Sequence, residues 1–92
     1  MNGVKILFFA SIREKIGKKS INIDIKNSMY LNDFLLLLKD IHPELNKITT
    51  KIINNETTPY MLVLNGTQIK DTKTTIVNPG SEFAILPPVS GG

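Results

Sequence analysis

The sequence predicts a two-layer α+β domain in the order β-β-α-β-β-β, with one main helix packed across one face of a sheet. Three observations carry this. Val4 to Ala10 and Ser20 to Ile25 read as strands, the first rich in aliphatic and aromatic residues and the second alternating residue by residue. From Leu31 onward, apolar residues recur at three- and four-residue steps, the period of a helix with one apolar stripe. Further strand-like runs, Tyr60 to Leu64, Thr67 to Ile69 and Glu82 to Leu86, are separated by turn signals. A sheet with one apolar face and a helix with one apolar stripe bury each other.

In the opening pair, Lys15-Ile16-Gly17-Lys18-Lys19 lies between the strands, and Gly17 can supply the positive φ of a tight antiparallel connection. Asn27 and Ser28 are candidate N-caps for the helix, and Asp33 lies in its first turn, where the helix dipole favours negative charge. Leu31, Phe34, Leu35, Leu38 and Ile41 form the stripe, widened by Leu36 and Leu37. Pro43 stops the helix near His42 and begins a short turn through Glu44, Leu45 and Asn46. His42 is the one histidine of the chain and there is no cysteine, so it reads as a helix-end dipole partner and not as a catalyst or metal ligand.

Ile48 to Thr58 is rich in threonine and asparagine and reads as a mobile loop. Asn65-Gly66 is a strong hairpin signal between the next two strands. Asn78-Pro79-Gly80-Ser81 turns the chain into the last strand, which Pro87 terminates. The domain is expected to span residues 1–86, and residues 87–92 form an extended tail.

Composition narrows the function classes. The 92 residues are 41% hydrophobic, enough for a single core and one domain. Without cysteine, disulfides, thiolate metal sites and thiol catalysis fall away, and the expected compartment is the cytoplasm. The apolar run Phe34 to Leu38 is too short to span a bilayer, and the start of the chain does not read as a secretory signal, so no membrane partner is expected. The net charge is +3, but no aromatic residue is interleaved with Arg13, Lys15, Lys18 and Lys19, which argues against nucleic acid. A solvated face, or steering toward an acidic protein, accounts for that cluster.

If the first and last strands lie side by side in the middle of the sheet, Val4, Ile6 and Phe8 face the helix together with Phe83 and Ile85. The outward set is then Lys5, Leu7 and Phe9 with Glu82, Ala84 and Leu86. Leu7, Phe9, Ala84 and Leu86 would form an apolar patch beside the tail Pro87-Pro88-Val89-Ser90-Gly91-Gly92. Such a tail adds nothing to a core, because glycine costs the most backbone entropy to order. What it offers is narrowness: without a Cβ at Gly91 and Gly92, the last peptide and its carboxylate can pass into a confined active site of a partner. Pro87 and Pro88 stiffen the exit, Val89 can fill a small pocket and Ser90 adds a polar contact.

Val4-Lys5-Ile6-Leu7-Phe8-Phe9-Ala10, the following Ile12-Arg13-Glu14 and the ending Pro87 to Gly92 resemble the ThiS/MoaD family of ubiquitin-like sulfur carriers, specifically the small subunits of molybdopterin synthase. The resemblance runs from the first strand to the last residue. It implies a β-grasp fold with a mixed sheet. It also implies that Gly92 is the reacting group: a ubiquitin-activating-type adenylating enzyme spends ATP on its carboxylate, a sulfur donor converts the acyl-adenylate to a thiocarboxylate, and the sulfur passes to a cyclic pyranopterin precursor. The catalytic side chains would belong to the large subunit, within a hetero-oligomer, a heterotetramer by resemblance. This chain itself would bind no cofactor and no metal, and it would act as a non-catalytic sulfur-donating subunit in molybdenum cofactor biosynthesis. Leu7, Phe9, Ala84 and Leu86 would meet the partner. Two departures stand out: residues 48–58 are longer than is usual in that family, and Gln68 falls where an apolar interface residue is expected.

Two alternatives use the same terminus. In one, activated Gly92 acylates target lysines, as in ubiquitin-like protein modifiers. In the other, the chain is the sulfur carrier of the thiamine pathway, which shares Gly-Gly but lacks the preceding Pro-Pro.

Overall fold

The alternation of the first strand sets the layers. In the computed structural model, which describes residues 3–54 and 60–87, β1 is Gly3–Phe8. Val4, Ile6 and Phe8 are buried, Lys5 is exposed and Leu7 is half-buried. β1 ends at the core-facing Phe8, and after Phe9 the chain turns at Ala10, whose φ of 50° is left-handed. That conformation costs a residue with a side chain about 1–2 kcal/mol. It lets the next turn return Ile12 to the core only four residues after Phe8.

The turn opens α1, Ala10–Ile16, where a simple hairpin connection was expected. Ile12 and Ile16, four residues apart, anchor it: Ile12 is buried and Ile16 packs against the core. Gly17 does adopt positive φ (82°), but as the left-handed cap of this helix, donating its N–H to the Arg13 carbonyl at 2.8 Å. β2, Ser20–Asp24, then pairs antiparallel with β1.

β3, Met29–Tyr30, precedes the main helix α2, Leu31–Ile41. Asn27 and Ser28 are not its caps. The N-cap position is Tyr30, without a side-chain cap bond, and the first helical N–H groups are met from across the fold: Leu31 donates to the Thr75 carbonyl at 2.8 Å and Asn32 to the Thr72 carbonyl at 3.1 Å. The Ser28 hydroxyl instead donates to the Asn78 side chain. Leu31, Phe34, Leu35 and Leu38 are buried as the stripe requires, and Asp33 lies in the first turn. Ile41 is half exposed, because the helix ends there and Pro43 diverts the chain into a 3-10 turn, Pro43–Leu45. Leu36 points outward and Leu37 is partly buried.

His42 follows the helix, donating its N–H to the Leu38 carbonyl at 2.8 Å, with its Nδ1 3.5 Å from the Glu44 carboxylate. The Glu44 carboxyl lies below its ordinary range, chiefly through a hydrogen bond from its own backbone N–H; desolvation opposes this, and His42 and then Lys18 add to the lowering.

Residues expected to form a loop are largely helical. α3, Asn46–Ile53, buries Ile48, Thr49 and Ile52. With Leu45 these recur at helical spacing, and tertiary packing against α2 overrides the weak helix propensity of threonine, asparagine and isoleucine. The buried Thr49 hydroxyl donates to the Leu45 carbonyl at 2.9 Å. Residues 55–58 of the expected loop lie outside the described residues.

β4 (Met61–Leu64) and β5 (Thr67–Ile69) are joined at Asn65-Gly66, where φ values of 50° and 84° give the primed turn that matches strand twist. β6, Ile76–Val77, pairs with β3 in a separate two-stranded ribbon, and β7 is Glu82–Leu86. The main sheet has the order β2-β1-β7-β4-β5, with β1 and β7 parallel and the other pairs antiparallel. The first and last strands therefore lie together in the interior of the sheet, as expected. The structure adds α1, α3, β3 and β6 to the expected β-β-α-β-β-β framework. Phe83 of β7 meets Phe34 of α2 edge-on, ring centroids 6.4 Å apart, which locks the last strand to the helix layer.

Candidate functional site

The face of the sheet away from α2 is built by cross-strand register. Leu7 stands beside Ala84, Ala84 beside Val63, and Val63 beside Gln68, so one row crosses four strands. Residues directly across from each other point to the same side. The next row toward the end of β7 holds Leu86 beside Met61, with Phe9 just beyond the Phe8–Ile85 pair. The row on the other side sets Lys5 beside Glu82. Thus Leu7, Phe9, Ala84 and Leu86, picked out by alternation, do share one face, and Val63 and Met61 extend it.

Their exposure differs. Phe9 is 40% exposed, Leu7 and Leu86 are intermediate, and Ala84 is 9% exposed because its larger neighbours overhang it. The result is a shallow depression of about 260 Å³ lined by Leu7, Phe9, Val63, Gly66, Glu82, Ala84 and Leu86. Gln68 is exposed at its β5 side, an amide at the end of an otherwise apolar row. Val63 and Met61 were missed from the sequence because Tyr60 to Leu64 is apolar throughout, so its alternation is invisible until the strand is paired.

The walls of the depression are fixed by hydrogen bonds. Asn65 exchanges two with Glu82: its N–H donates to the Glu82 carbonyl at 2.8 Å, and its side-chain oxygen accepts the Glu82 N–H at 2.8 Å. Its amide nitrogen also donates to the buried Ser81 hydroxyl at 3.3 Å. The β4–β5 turn is thereby tied to the start of β7. Among the described residues no buried side-chain polar atom lacks a partner.

β7 carries the chain across this face and out at Pro87. Leu86, the last strand residue, belongs both to the apolar face and to the base of the tail. Pro88, Val89, Ser90, Gly91 and Gly92 lie outside the described residues. Among the described residues, no group of three or more His, Asp or Glu side chains could hold a metal, and no helix is long and apolar enough to cross a membrane.

An apolar sheet face, centred on the strand that leads to Gly-Gly, can be compared with known proteins. A molybdopterin synthase sulfur carrier subunit of Dictyostelium discoideum is 37% identical over 93 residues, an alignment covering 99% of this chain and 98% of that protein. The crystal structure of SAMP1 from Haloferax volcanii, a small archaeal modifier protein, superposes with a TM-score of 0.72 at 26% identity, over 98% of this chain and 99% of that one. The fold is also that of a chain in the complex of subunits 1 and 2 of the molybdopterin-converting factor from Helicobacter pylori, with a TM-score of 0.62 at 21% identity over 98% and 99% of the two chains. The sheet and main helix are those of a ubiquitin-like β-grasp domain. Residues 6–92 match the ThiS family, and the chain belongs to that family.

Proposed function

We propose that this chain is a sulfur carrier and the small subunit of a molybdopterin synthase, acting through the carboxylate of Gly92. One observation carries the reading: the interior strand β7 ends on an exposed apolar face and runs directly into the Pro-Pro and Gly-Gly segment. A protein that grips this face holds the tail in register. The name and near-complete coverage of the Dictyostelium relative support the same assignment.

The chemistry follows from what a carboxylate lacks. An ionised carboxylate is a poor electrophile, since attack would add a second negative charge and expel an oxide-like group. A ubiquitin-activating-type enzyme therefore joins Gly92 to AMP from ATP, releasing pyrophosphate. Sulfide from a donor displaces AMP and leaves a thiocarboxylate. The large synthase subunit then presents the pyranopterin precursor to the sulfur, which is now a strong nucleophile. This chain contributes binding and reach, and its partners contribute catalytic side chains. The partner subunit in the Helicobacter complex supports a two-subunit arrangement, and a heterotetramer is the expected assembly.

A second reading has an observation of its own. The resemblance to SAMP1 favours conjugation of Gly92 to target lysines through the same activated carbonyl. Incubating the protein with ATP, an activating enzyme and sulfide, then measuring the mass of the last peptide, tests the first reading. Replacement of one oxygen by sulfur is expected. An unmodified terminus beside efficient lysine conjugation would overturn it in favour of the second.

A further inference from the structure

The depression at the centre of the open face has an unusual floor. Ala84 is its lowest point, flanked in register by Leu7 and Val63 and overhung by Phe9 and Leu86, while Gly66 contributes no side chain to the rim. At about 260 Å³ the hollow is smaller than the range of pockets that take small molecules, yet ample for one bulky side chain. Interfaces concentrate binding strength in such central sockets, which receive aromatic or large aliphatic anchors.

Its charge is equally specific. Of the residues that line it, only Glu82 is titratable, and the protein as a whole carries +3. Lys5 stands beside Glu82 in the sheet, but among the described residues the one ion pair is His42 with Glu44, so the Glu82 carboxylate is left for another cation. The Glu82 backbone is held by both hydrogen bonds to Asn65, which fixes the point on the rim from which its side chain departs.

We infer that the Ala84 socket takes a single bulky apolar side chain of the protein partner, with an arginine or lysine next to it that reaches Glu82. This deepens the proposed function by naming the chemistry of the partner's anchor, and it rests on that reading only for the partner's identity. Ala84 and Glu82 are then specificity-determining residues. Ala84 admits the anchor by being small, and Glu82 selects its neighbour by charge.

The test uses short peptides, so it does not depend on which partner is correct. The full chain is titrated with N-acetyl-phenylalanyl-arginine amide and with N-acetyl-phenylalanyl-glutamate amide, and amide and methyl shifts are followed by NMR. The arginine peptide is expected to shift Leu7, Val63, Gly66 and Ala84 in a saturable way, and to bind at least about threefold more tightly than the glutamate peptide. Ala84→Leu fills the socket from its open side and should weaken binding by about tenfold or more, and Glu82→Gln should erase the preference between the two peptides. Shifts scattered over other surfaces, equal binding of both peptides to the unaltered protein, or an Ala84→Leu variant that binds normally would each overturn the inference. Sulfur loading at Gly92 is read separately, so loss of one result leaves the other standing.

Discussion

Phe9→Asp should separate docking from folding. Phe9 is 40% exposed, so its burial contributes at most about 1–2 kcal/mol on a scale where a fully buried phenylalanine contributes 1.5–3. The same residue occupies the N-cap of α1 with extended backbone (φ −127°, ψ 150°) and no side-chain cap bond. Aspartate there can accept helix N–H groups, a gain of about 1 kcal/mol. The two effects nearly cancel, leaving stability within about 1 kcal/mol of the original and the melting temperature within about 4–8 °C. Docking has no such compensation. A carboxylate driven into the desolvated centre of an apolar contact should cost at least about 2 kcal/mol, or roughly 30-fold in affinity. Urea and thermal melts report the fold, and calorimetric titration with the purified large synthase subunit reports docking. Phe83→Ala is the control on the opposite face: fully buried and edge-on to Phe34, it should lose about 3–5 kcal/mol, a large part of the stability of a domain this size. A Phe9→Asp protein that unfolds like Phe83→Ala, or one that docks unchanged, would refute the assignment of faces.

Other perturbations test the framework and the tail. Gly66→Ala places a Cβ in open space, with no heavy atom within 4 Å, so its cost of about 1–2 kcal/mol in a urea melt should come from the left-handed backbone alone. A loss well above that would mean that contacts of Gly66, and not its backbone conformation alone, hold the turn. Thr49→Val keeps the shape of a fully buried side chain but removes the hydroxyl that donates to the Leu45 carbonyl, and should cost about 1 kcal/mol. Deleting Gly92 should leave both the melting temperature and large-subunit affinity nearly unchanged while abolishing sulfur loading. Any sulfur product from that truncated chain would retire Gly92 as the reacting group.

The strands and the main helix were legible because their periodicities are strong and local. Val4, Ile6 and Phe8 alternate cleanly, and Leu31 to Leu38 repeats at helical steps, so the sidedness of β1, β7 and α2 could be assigned residue by residue. α1 and α3 were not read because their signals are short. Ile12 and Ile16 span a single turn, and Leu45, Ile48 and Ile52 are embedded in threonine and asparagine, whose intrinsic preference is against helix. Only packing against α2 and the sheet makes them helical. β3 and β6, two residues each, are too brief to show any period, and they exist because Met29 pairs with Val77 across the fold. That pairing also explains the mistaken caps. The start of α2 is satisfied by the loop before β6, through Thr75 and Thr72, which are far away in sequence and which no local cap rule detects.

The candidate face was legible for the same reason as the strands. Leu7, Phe9, Ala84 and Leu86 alternate on two strands, and only the assumption that those strands are neighbours was needed to join them. The hollow over Ala84 was not, because it depends on Val63 and Gly66, which a different hairpin brings alongside β7.

The most direct measurement is the mass of the C-terminal peptide of the protein isolated from its own cells. A fraction of the protein is expected to carry sulfur in place of one oxygen of the Gly92 carboxylate. A chain that continues past Gly92 without trimming, or a Gly92 recovered only in amide linkage to lysines of other proteins, would contradict it.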